Sequence, residues 1–223
     1  MVNFSTPDIA YGIVLGALSF LTYILYLTSF SGDNTSVSVT IYRMNMIPGI
    51  LLAVIFLGEA VDPRRGSAII SCILSVLLLG SWKFGRLKDD RHLLLSIGAC
   101  ISGGVLNVVN KAAIVQGGNS FNLLFIRFTL VFVLTGLFII FRKAWTIDRK
   151  TVKYALFSGI LLMLAIYFIL EAFRSGDVAL VLPVTQLSFT LVVFASRAIF
   201  KEVISVRKVI GKLQAVSSDL LMK

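Results

Sequence analysis

Charged and amide side chains stand inside long apolar segments of this sequence, where such groups are costly. Lys111 follows Asn107 by one helical turn, and Arg43 is separated from Asn45 by a single residue. A charge at the centre of a membrane-spanning helix costs about 2.5–3.5 kcal/mol, so it is retained where it faces a cavity or a partner. A guanidinium binds carboxylates and phosphates as a planar fork, whereas an ammonium binds them as a point charge. We therefore interpret these residues as candidate lining for an anionic solute.

Further polar and aromatic residues complete the candidate set. Thr185 and Gln186 closely follow Pro183, and a proline bends a helix and frees a backbone carbonyl. A bend with polar side chains beside it suits a binding cavity. The predicted solute-binding residues are Tyr23, Arg43, Asn45, Asn107, Lys111, Arg127, Tyr167, Thr185 and Gln186.

Each of these residues also has a structural interpretation. The Lys111 ammonium can extend to the near end of its helix, while the asparagines can hydrogen-bond to neighbouring helices. Arg43 and Arg127 can pair with Glu171 or Asp177. The proline bend and the two tyrosines can serve packing alone. The sequence leaves both interpretations open for every member of the set.

The sequence contains no pattern of a catalytic centre. His92 is the sole histidine, and HExxH, GxSxG and P-loop patterns do not occur. Cys72 and Cys100 lie inside apolar segments, where we interpret them as small buried hydrophobic residues. Their spacing is that of neither a metal site nor a disulfide framework. We therefore expect no enzymatic activity and no metal or other cofactor.

The composition is that of a helical membrane protein. Hydrophobic residues make up 57% of the 223 and charged residues only 14%, against about 25% charged in a soluble domain. Lipid cannot hydrogen-bond to exposed backbone, so each long apolar run is predicted to be a helix. We predict an all-α integral membrane bundle of about eight transmembrane helices. The candidate spans are 9–30, 36–57, 67–82, 93–115, 120–141, 153–172, 178–200 and 207–222.

Two stretches of small residues predict close contacts between helices. Gly12 and Gly16 form a GxxxG motif, and Gly98, Ser102 and the glycine pair 103–104 form a second small-residue face. Small side chains let helix backbones approach closely in lipid. We assign these stretches to packing and not to solute binding.

Basic residues, which give the chain a net charge of +10, concentrate in the loops between spans. Three loops on one side of the membrane carry twelve Lys and Arg residues, while the opposite side carries four. The positive-inside rule places the twelve in the cytoplasm and both termini outside. Such loops face anionic lipid, and we therefore expect no nucleic-acid partner.

The end of the chain repeats an earlier segment. Glu202 follows Glu59 by 143 positions, and other matches recur at this offset or one residue more. The first three spans pair with the last three, while the two spans between them have no partner. A repeat unit of five spans, whose first copy lacks its opening two, accounts for this pattern. Because five is an odd number, consecutive copies of the unit cross the membrane in opposite directions. We predict an incomplete first repeat over 1–82 and a five-span second repeat over 93–223.

The repeated segments resemble a known family. GDVALVLPVTQLSF followed by FKEVISVRKVIG is similar to the end of an EamA-type domain of the drug/metabolite transporter superfamily. The shared pattern is a Gly-Asp turn, a mid-span proline, a glutamate at the helix end and a glycine in the following helix. In the two copies these residues are Gly32, Asp33, Pro48, Glu59 and Gly66, then Gly176, Asp177, Pro183, Glu202 and Gly211. Arg127 in FNLLFIRF matches the arginine that opens the second span of a unit.

The resemblance implies a secondary transporter that moves a small polar metabolite by alternating access, with its site near the membrane midplane. Ordinary members resemble ten-span proteins, so a non-transporting subunit or truncated remnant that needs a partner chain stays open as the alternative. The resemblance also implies that both termini lie inside, against the charge count. We expect a multi-pass protein of the cell (inner) membrane that contacts the lipid bilayer and a small-molecule solute. A homodimer or a partner chain is left open.

Overall fold

The regular secondary structure of the described residues is α-helical. The computed structural model describes residues 4–30, 35–60, 62–79, 90–142, 149–186 and 188, and no strand occurs among them. The helices are α1 (Thr6–Thr28), α2 (Thr35–Arg43), α3 (Met46–Leu57), α4 (Pro63–Leu79), α5 (Asp90–Val115), α6 (Ser120–Arg142) and α7 (Arg149–Ser175). A further helix, α8, begins at 178 and is described to 186. The all-α class predicted from the apolar runs is confirmed.

Five helical segments of the described chain are long and apolar enough to cross a membrane. They are Thr6–Thr28, Val37–Leu57, Arg91–Val115, Ser120–Arg142 and Thr151–Ser175. These correspond to the first, second, fourth, fifth and sixth predicted spans. The third overlaps α4, which has 17 residues, slightly short of the roughly 20 that cross a bilayer. The seventh is described only in its first half as α8, and the eighth lies outside the described residues, so the count of eight stays a prediction.

The helices form two compact units, each assembled from distant parts of the chain. Unit 1 combines Met1–Leu21 with Val109–Ser175, and unit 2 combines Thr22–Val108 with Gly176–Lys223. Each unit therefore draws on both of the predicted repeats. Compactness in space does not test a sequence repeat, so the predicted division into 1–82 and 93–223 stays a prediction.

In unit 1, α1 packs closely against α6 through the predicted GxxxG motif. A Cβ added at Gly12 would lie 2.8 Å from Cβ of Ile126, and one at Gly16 would lie 2.9 Å from Cβ of Leu130. Real Cβ atoms do not approach other atoms so closely, so a larger side chain at either glycine would push α6 away. The predicted packing role of this motif is confirmed.

In unit 2, the small-residue face of α5 receives two neighbouring helices. The Oγ1 of Thr22, on the last part of α1, lies 2.6 Å from Oγ of Ser102 in a buried hydrogen bond. A Cβ added at Gly104 would lie 2.8 Å from the backbone nitrogen of Gly49 on α3. The predicted packing role of this second face is confirmed as well.

The outer surface of the later helices is apolar. Phe132 and Phe141 on α6 are 81% and 82% exposed, and Phe157 and Phe168 on α7 are each 66% exposed. Exposed apolar patches of this extent are rare on water-soluble monomers. Lipid tails are as apolar as a protein core, so a bilayer is the environment in which this surface is stable.

Candidate functional site

The second predicted span is interrupted near its middle, between α2 and α3. The N–H groups of Met44, Asn45 and Ile47 each donate to the carbonyl three residues before, at 2.9–3.0 Å. Pro48 has no N–H, so it cannot donate to the Met44 carbonyl. The N–H of Ile47 donates to that carbonyl instead, which gives the three-residue spacing of a 3₁₀ helix. The proline thus explains the interruption, which the sequence pattern marked only as a mid-span proline.

The interruption fixes the positions of two predicted site residues. Arg43 is the last residue of α2, and its positive charge there complements the negative end of the helix dipole. Asn45 directly precedes α3 and is half-buried, as is Arg43. A guanidinium and an amide therefore lie at a single turn of 3₁₀-type hydrogen bonding inside an apolar segment.

Aromatic rings lie beside Arg43. The Tyr26 ring on α1 lies 4.2 Å from the Tyr42 ring between centroids, with an interplanar angle of 34°. Tyr42 directly precedes Arg43 in the chain, so the ring pair lies at the interruption. Phe30 extends the cluster, with its ring 4.5 Å from that of Tyr26. These rings form an apolar wall with polar hydroxyl tips next to a fixed positive charge.

The backbone of α5 forms a second wall at the interruption. A Cβ added at Gly103 would lie 3.2 Å from Nδ2 of Asn45 and 3.3 Å from Cε2 of Tyr42. Glycine at this position therefore leaves room for both side chains. Asn107, another predicted site residue, is half-buried one turn further along α5.

α8 carries the next two predicted residues. Pro183 is buried, and Thr185 donates from its Oγ1 to the Leu182 carbonyl at 2.7 Å. This is a local bond of a threonine to the carbonyl three residues before it, whereas the carbonyl that Pro183 leaves without its helical donor is that of Ala179. Thr185 and Gln186 are both half-buried, and Tyr23 on α1 is half-buried as well. Together with Arg43, Asn45 and Asn107, all of these residues belong to unit 2.

The other three predicted residues belong to unit 1. Lys111 donates from Nζ to the Phe173 carbonyl at 2.8 Å. This carbonyl is one of the last four of α7, which accept no hydrogen bond from the helix itself. The ammonium therefore caps the negative end of α7. Tyr167, also on α7, is 36% exposed and lies edge-on to Phe168 at 5.8 Å between centroids.

Arg127 is the most deeply buried charge of the predicted set. It is 3% exposed, with Nη1 3.5 Å from Oδ1 of Asn110 and its guanidinium 6.0 Å from the Phe128 ring centroid. The Glu171 carboxylate, an alternative partner suggested by the sequence, contacts Arg174 at 3.3 Å and accepts a bond from Ser120 at 2.6 Å.

Sequence reasoning missed a buried carboxylate at the start of α1. Asp8 is 2% exposed and accepts hydrogen bonds from Ser5 N at 3.1 Å, Asn119 N at 2.8 Å and Nδ2 of Asn122 at 2.8 Å. Ser5 also accepts a bond from Asp8 N at 3.4 Å, which makes the pair a capping box. The spacing of Ser5 and Asp8 before an apolar run was the available signal.

Glu59 follows the end of α3 and precedes the basic residues Arg64 and Arg65. In the structure its carboxylate accepts hydrogen bonds from the backbone N–H groups of Val178 at 2.8 Å and Ala179 at 3.1 Å. These are the first two residues of α8, so a carboxylate from the end of α3 caps a helix that lies far along the chain.

Long apolar helices and an outward apolar surface define a multi-pass membrane protein. A family model described as the EamA-like transporter family matches residues 91–222, which is more than half of the chain. This chain belongs to the EamA-like transporter family. The resemblance drawn from the repeated motifs is thereby confirmed.

Solved structures agree with this fold. A crystal structure of a protein with 14% sequence identity superimposes with a TM-score of 0.79, over 98% of this chain and 76% of the other. At this identity the likeness shows the fold alone. No curated protein sequence matches the chain.

Proposed function

We propose that this chain is a secondary transporter that carries a small polar metabolite across the membrane by alternating access, with the solute held at the broken second span. The observation that carries the proposal is the interruption between α2 and α3, which sets Arg43 and Asn45 at a turn where 3₁₀-type hydrogen bonds replace the regular α-helical ones. Transporters use discontinuous helices because helix ends and freed backbone groups bind ions and polar substrates. Membership of a transporter family supports the same function.

Each residue at the interruption has a role in this proposal. The Arg43 guanidinium binds a carboxylate or phosphate of the solute through two parallel N–H donors. Asn45 supplies an NH2 group with two N–H donors and a carbonyl oxygen acceptor, and the rings of Tyr26 and Tyr42 cover the apolar part of the solute.

The other predicted residues of unit 2 extend the proposed site, and the three residues of unit 1 support it. The former are Tyr23, Asn107, Thr185 and Gln186, which we propose as further lining of the solute path. Lys111 and Arg127 contact the Phe173 carbonyl and Asn110 within unit 1. We therefore propose that these two cations and Tyr167 hold helices in position and do not bind the solute.

Solute binding to the purified protein tests this proposal. Thermal unfolding in detergent would be followed across a panel of carboxylates, phosphates and neutral metabolites. A solute at 100 times its Kd adds about 2.7 kcal/mol to stability, which raises Tm by roughly 5–11 °C for a chain of this size. We expect an anionic solute to produce this rise and Arg43→Ala to abolish it.

A matched control is Arg142→Ala, because Arg142 is an exposed arginine at the far end of α6. The control should keep the full rise in Tm. The proposed site is wrong if no solute stabilises the wild-type protein, or if Arg43→Ala keeps the full stabilisation.

One observation favours a second candidate, a membrane subunit completed by another chain. Residues 151–165 of α7 are exposed on every face of the helix, and they include Ser158 and Gly159, which are typical of helix contacts in lipid. A partner helix would cover this surface. Detergent-corrected mass measurement by light scattering tests this candidate, and a monomer that binds and moves solute alone would contradict it.

A further inference from the structure

Glu59 makes a bidentate contact with the start of α8, within unit 2. α8 begins after Asp177, whose carbonyl accepts the first bonds of the helix from Leu180 N at 3.0 Å and Val181 N at 2.9 Å. The N–H groups of Val178 and Ala179 therefore have no acceptor within their own helix. The carboxylate of Glu59 accepts both, at 2.8 and 3.1 Å, and its negative charge lies at the positive end of the helix dipole.

The end of α3 holds Glu59 in position for this contact. Gly58 has φ of 66°, a left-handed conformation that glycine adopts without strain, and it ends α3. The N–H of Glu59 then donates back to the Ala53 carbonyl at 3.4 Å. The glutamate is thus anchored to α3 through its backbone and to α8 through its side chain, so it joins two helices that are distant in sequence.

Behind this contact, α8 packs against the helices that surround the interruption. A Cβ added at Gly49 would lie 2.8 Å from Cδ1 of Leu182. The Cys72 thiol on α4 lies 3.8 Å from the Pro183 carbonyl and 3.8 Å from the Met46 sulfur. Met46 is fully buried and follows Asn45 directly. Movement of the start of α8 away from α3 would therefore uncover Cys72, Met46 and the interruption beside them.

We propose that Glu59 is a latch: its contact with the N-terminus of α8 keeps the interruption in the second span closed on that side, and the contact breaks when the protein opens there. The inference rests on the proposed function, because the opening it controls is one half of an alternating-access cycle. A carboxylate suits this role, since it holds the helix end firmly through two charge-assisted bonds and exchanges them for water once the helix moves.

The native cysteines report on the latch without any solute. In a Cys100→Ser background, Cys72 is the single thiol, and it is 3% exposed. The rate of its modification by N-ethylmaleimide measures how often α8 moves away. Glu59→Gln keeps the size of the side chain and removes its charge. We expect it to raise the rate about tenfold, the factor that corresponds to about 1.4 kcal/mol.

The complementary background separates local opening from general loosening. In Cys72→Ser protein, Cys100 on α5 is the single thiol, and its rate should be unchanged by Glu59→Gln. Asp62→Asn, a change to an exposed carboxylate in the same loop, should leave both rates unchanged.

The latch is contradicted if Glu59→Gln leaves the Cys72 rate unchanged, or raises both cysteine rates equally. Should Glu59→Gln fail to fold, Glu59→Asp serves instead, because the shorter side chain weakens the contact but keeps its charge. Solute binding is not needed for either rate, so failure of the latch and failure of the transport proposal give separate results.

Discussion

Replacing Asp8 with alanine perturbs unit 1 at the point where α1 and α6 both begin. Asp8 accepts bonds from Ser5 of its own helix and from Asn119 and Asn122 at the start of α6. The substitution removes the Asp8 half of the capping box of α1, and it also removes one acceptor each of the Asn119 backbone and the Asn122 amide. We expect Asp8→Ala to destabilise the protein because no other carboxylate oxygen in this described cluster replaces the lost acceptors.

The expected loss of stability is the sum of the contributions of the hydrogen bonds that Asp8 accepts. Loss of the bond from Ser5 N costs at most the roughly 1 kcal/mol of a whole helix N-cap, because the N-cap residue Ser5 is retained. Hydrogen bonds between membrane helices contribute about 0.6 kcal/mol on average and up to about 1.7 kcal/mol, and Asp8 accepts two such bonds from α6. The expected loss is therefore about 2–4 kcal/mol. For a chain of this size the loss corresponds to a fall in Tm of roughly 5–15 °C.

Thermal unfolding in detergent, with a double-mutant cycle, measures this loss. Asp8→Ala, Asn122→Ala and the double variant should show a coupling of about 1 kcal/mol, since the two side chains contact each other directly at 2.8 Å. Ser158→Ala is the control, because that exposed hydroxyl bonds only to the nearby Ala155 carbonyl among the contacts described for it. The reasoning is refuted if Asp8→Ala shifts Tm no more than Ser158→Ala does, or if the two cluster substitutions are additive.

Three further outcomes are expected in the same Tm assay. Gly104→Ala should lower Tm by roughly 2–10 °C, because the added Cβ would meet the backbone of α3. Gly136→Ala, whose added Cβ has nothing within 4 Å, should leave Tm unchanged or raise it. Thr22→Val should cost about 1 kcal/mol by removing the bond to Ser102; retention of the wild-type Tm would contradict it. Lys111→Met should cost about 1 kcal/mol by uncapping α7, and Lys111→Arg should recover part of that loss if the cation acts as a cap.

Local sequence patterns were enough to predict the helices and their closest contacts. Apolar runs predict helices because backbone groups in lipid must bond within their own segment, and α1, α5, α6 and α7 follow the predicted bounds closely. Glycine spacing predicts close approach because it depends only on the absence of a side chain. Gly16 and Gly104 therefore had their packing roles predicted before any partner helix was known.

The partners of the charged residues could not be predicted in the same way. Glu59 contacts backbone groups of residues 178 and 179, and Lys111 contacts the Phe173 carbonyl. A backbone donor or acceptor at a helix end does not show in the sequence which distant side chain will bind it, since every residue except proline carries both groups. The sequence suggested carboxylate partners for Arg43 and Arg127, but it did not indicate that termini of other helices would bind Glu59 and Lys111.

The residues of the candidate site could be predicted only in part. The sequence identified Arg43 and Asn45 as costly residues in an apolar segment and Pro48 as a helix-bending residue. It did not indicate that the regular helical hydrogen bonding would be interrupted at residues 44 and 45. The interruption depends on the N–H of Ile47, which donates to the Met44 carbonyl because Pro48 has no N–H. Tyr26 entered the site only through its contact with Tyr42 in the folded protein.

Exchange of a labelled solute across liposomes that contain this purified chain alone tests the central claim most directly. The solute would be one that raises Tm in the binding panel, loaded inside the liposomes, with its labelled form added outside. We predict saturable uptake of label that Arg43→Ala abolishes and Arg142→Ala retains. Folded wild-type protein that binds the solute but exchanges none of it would contradict the account.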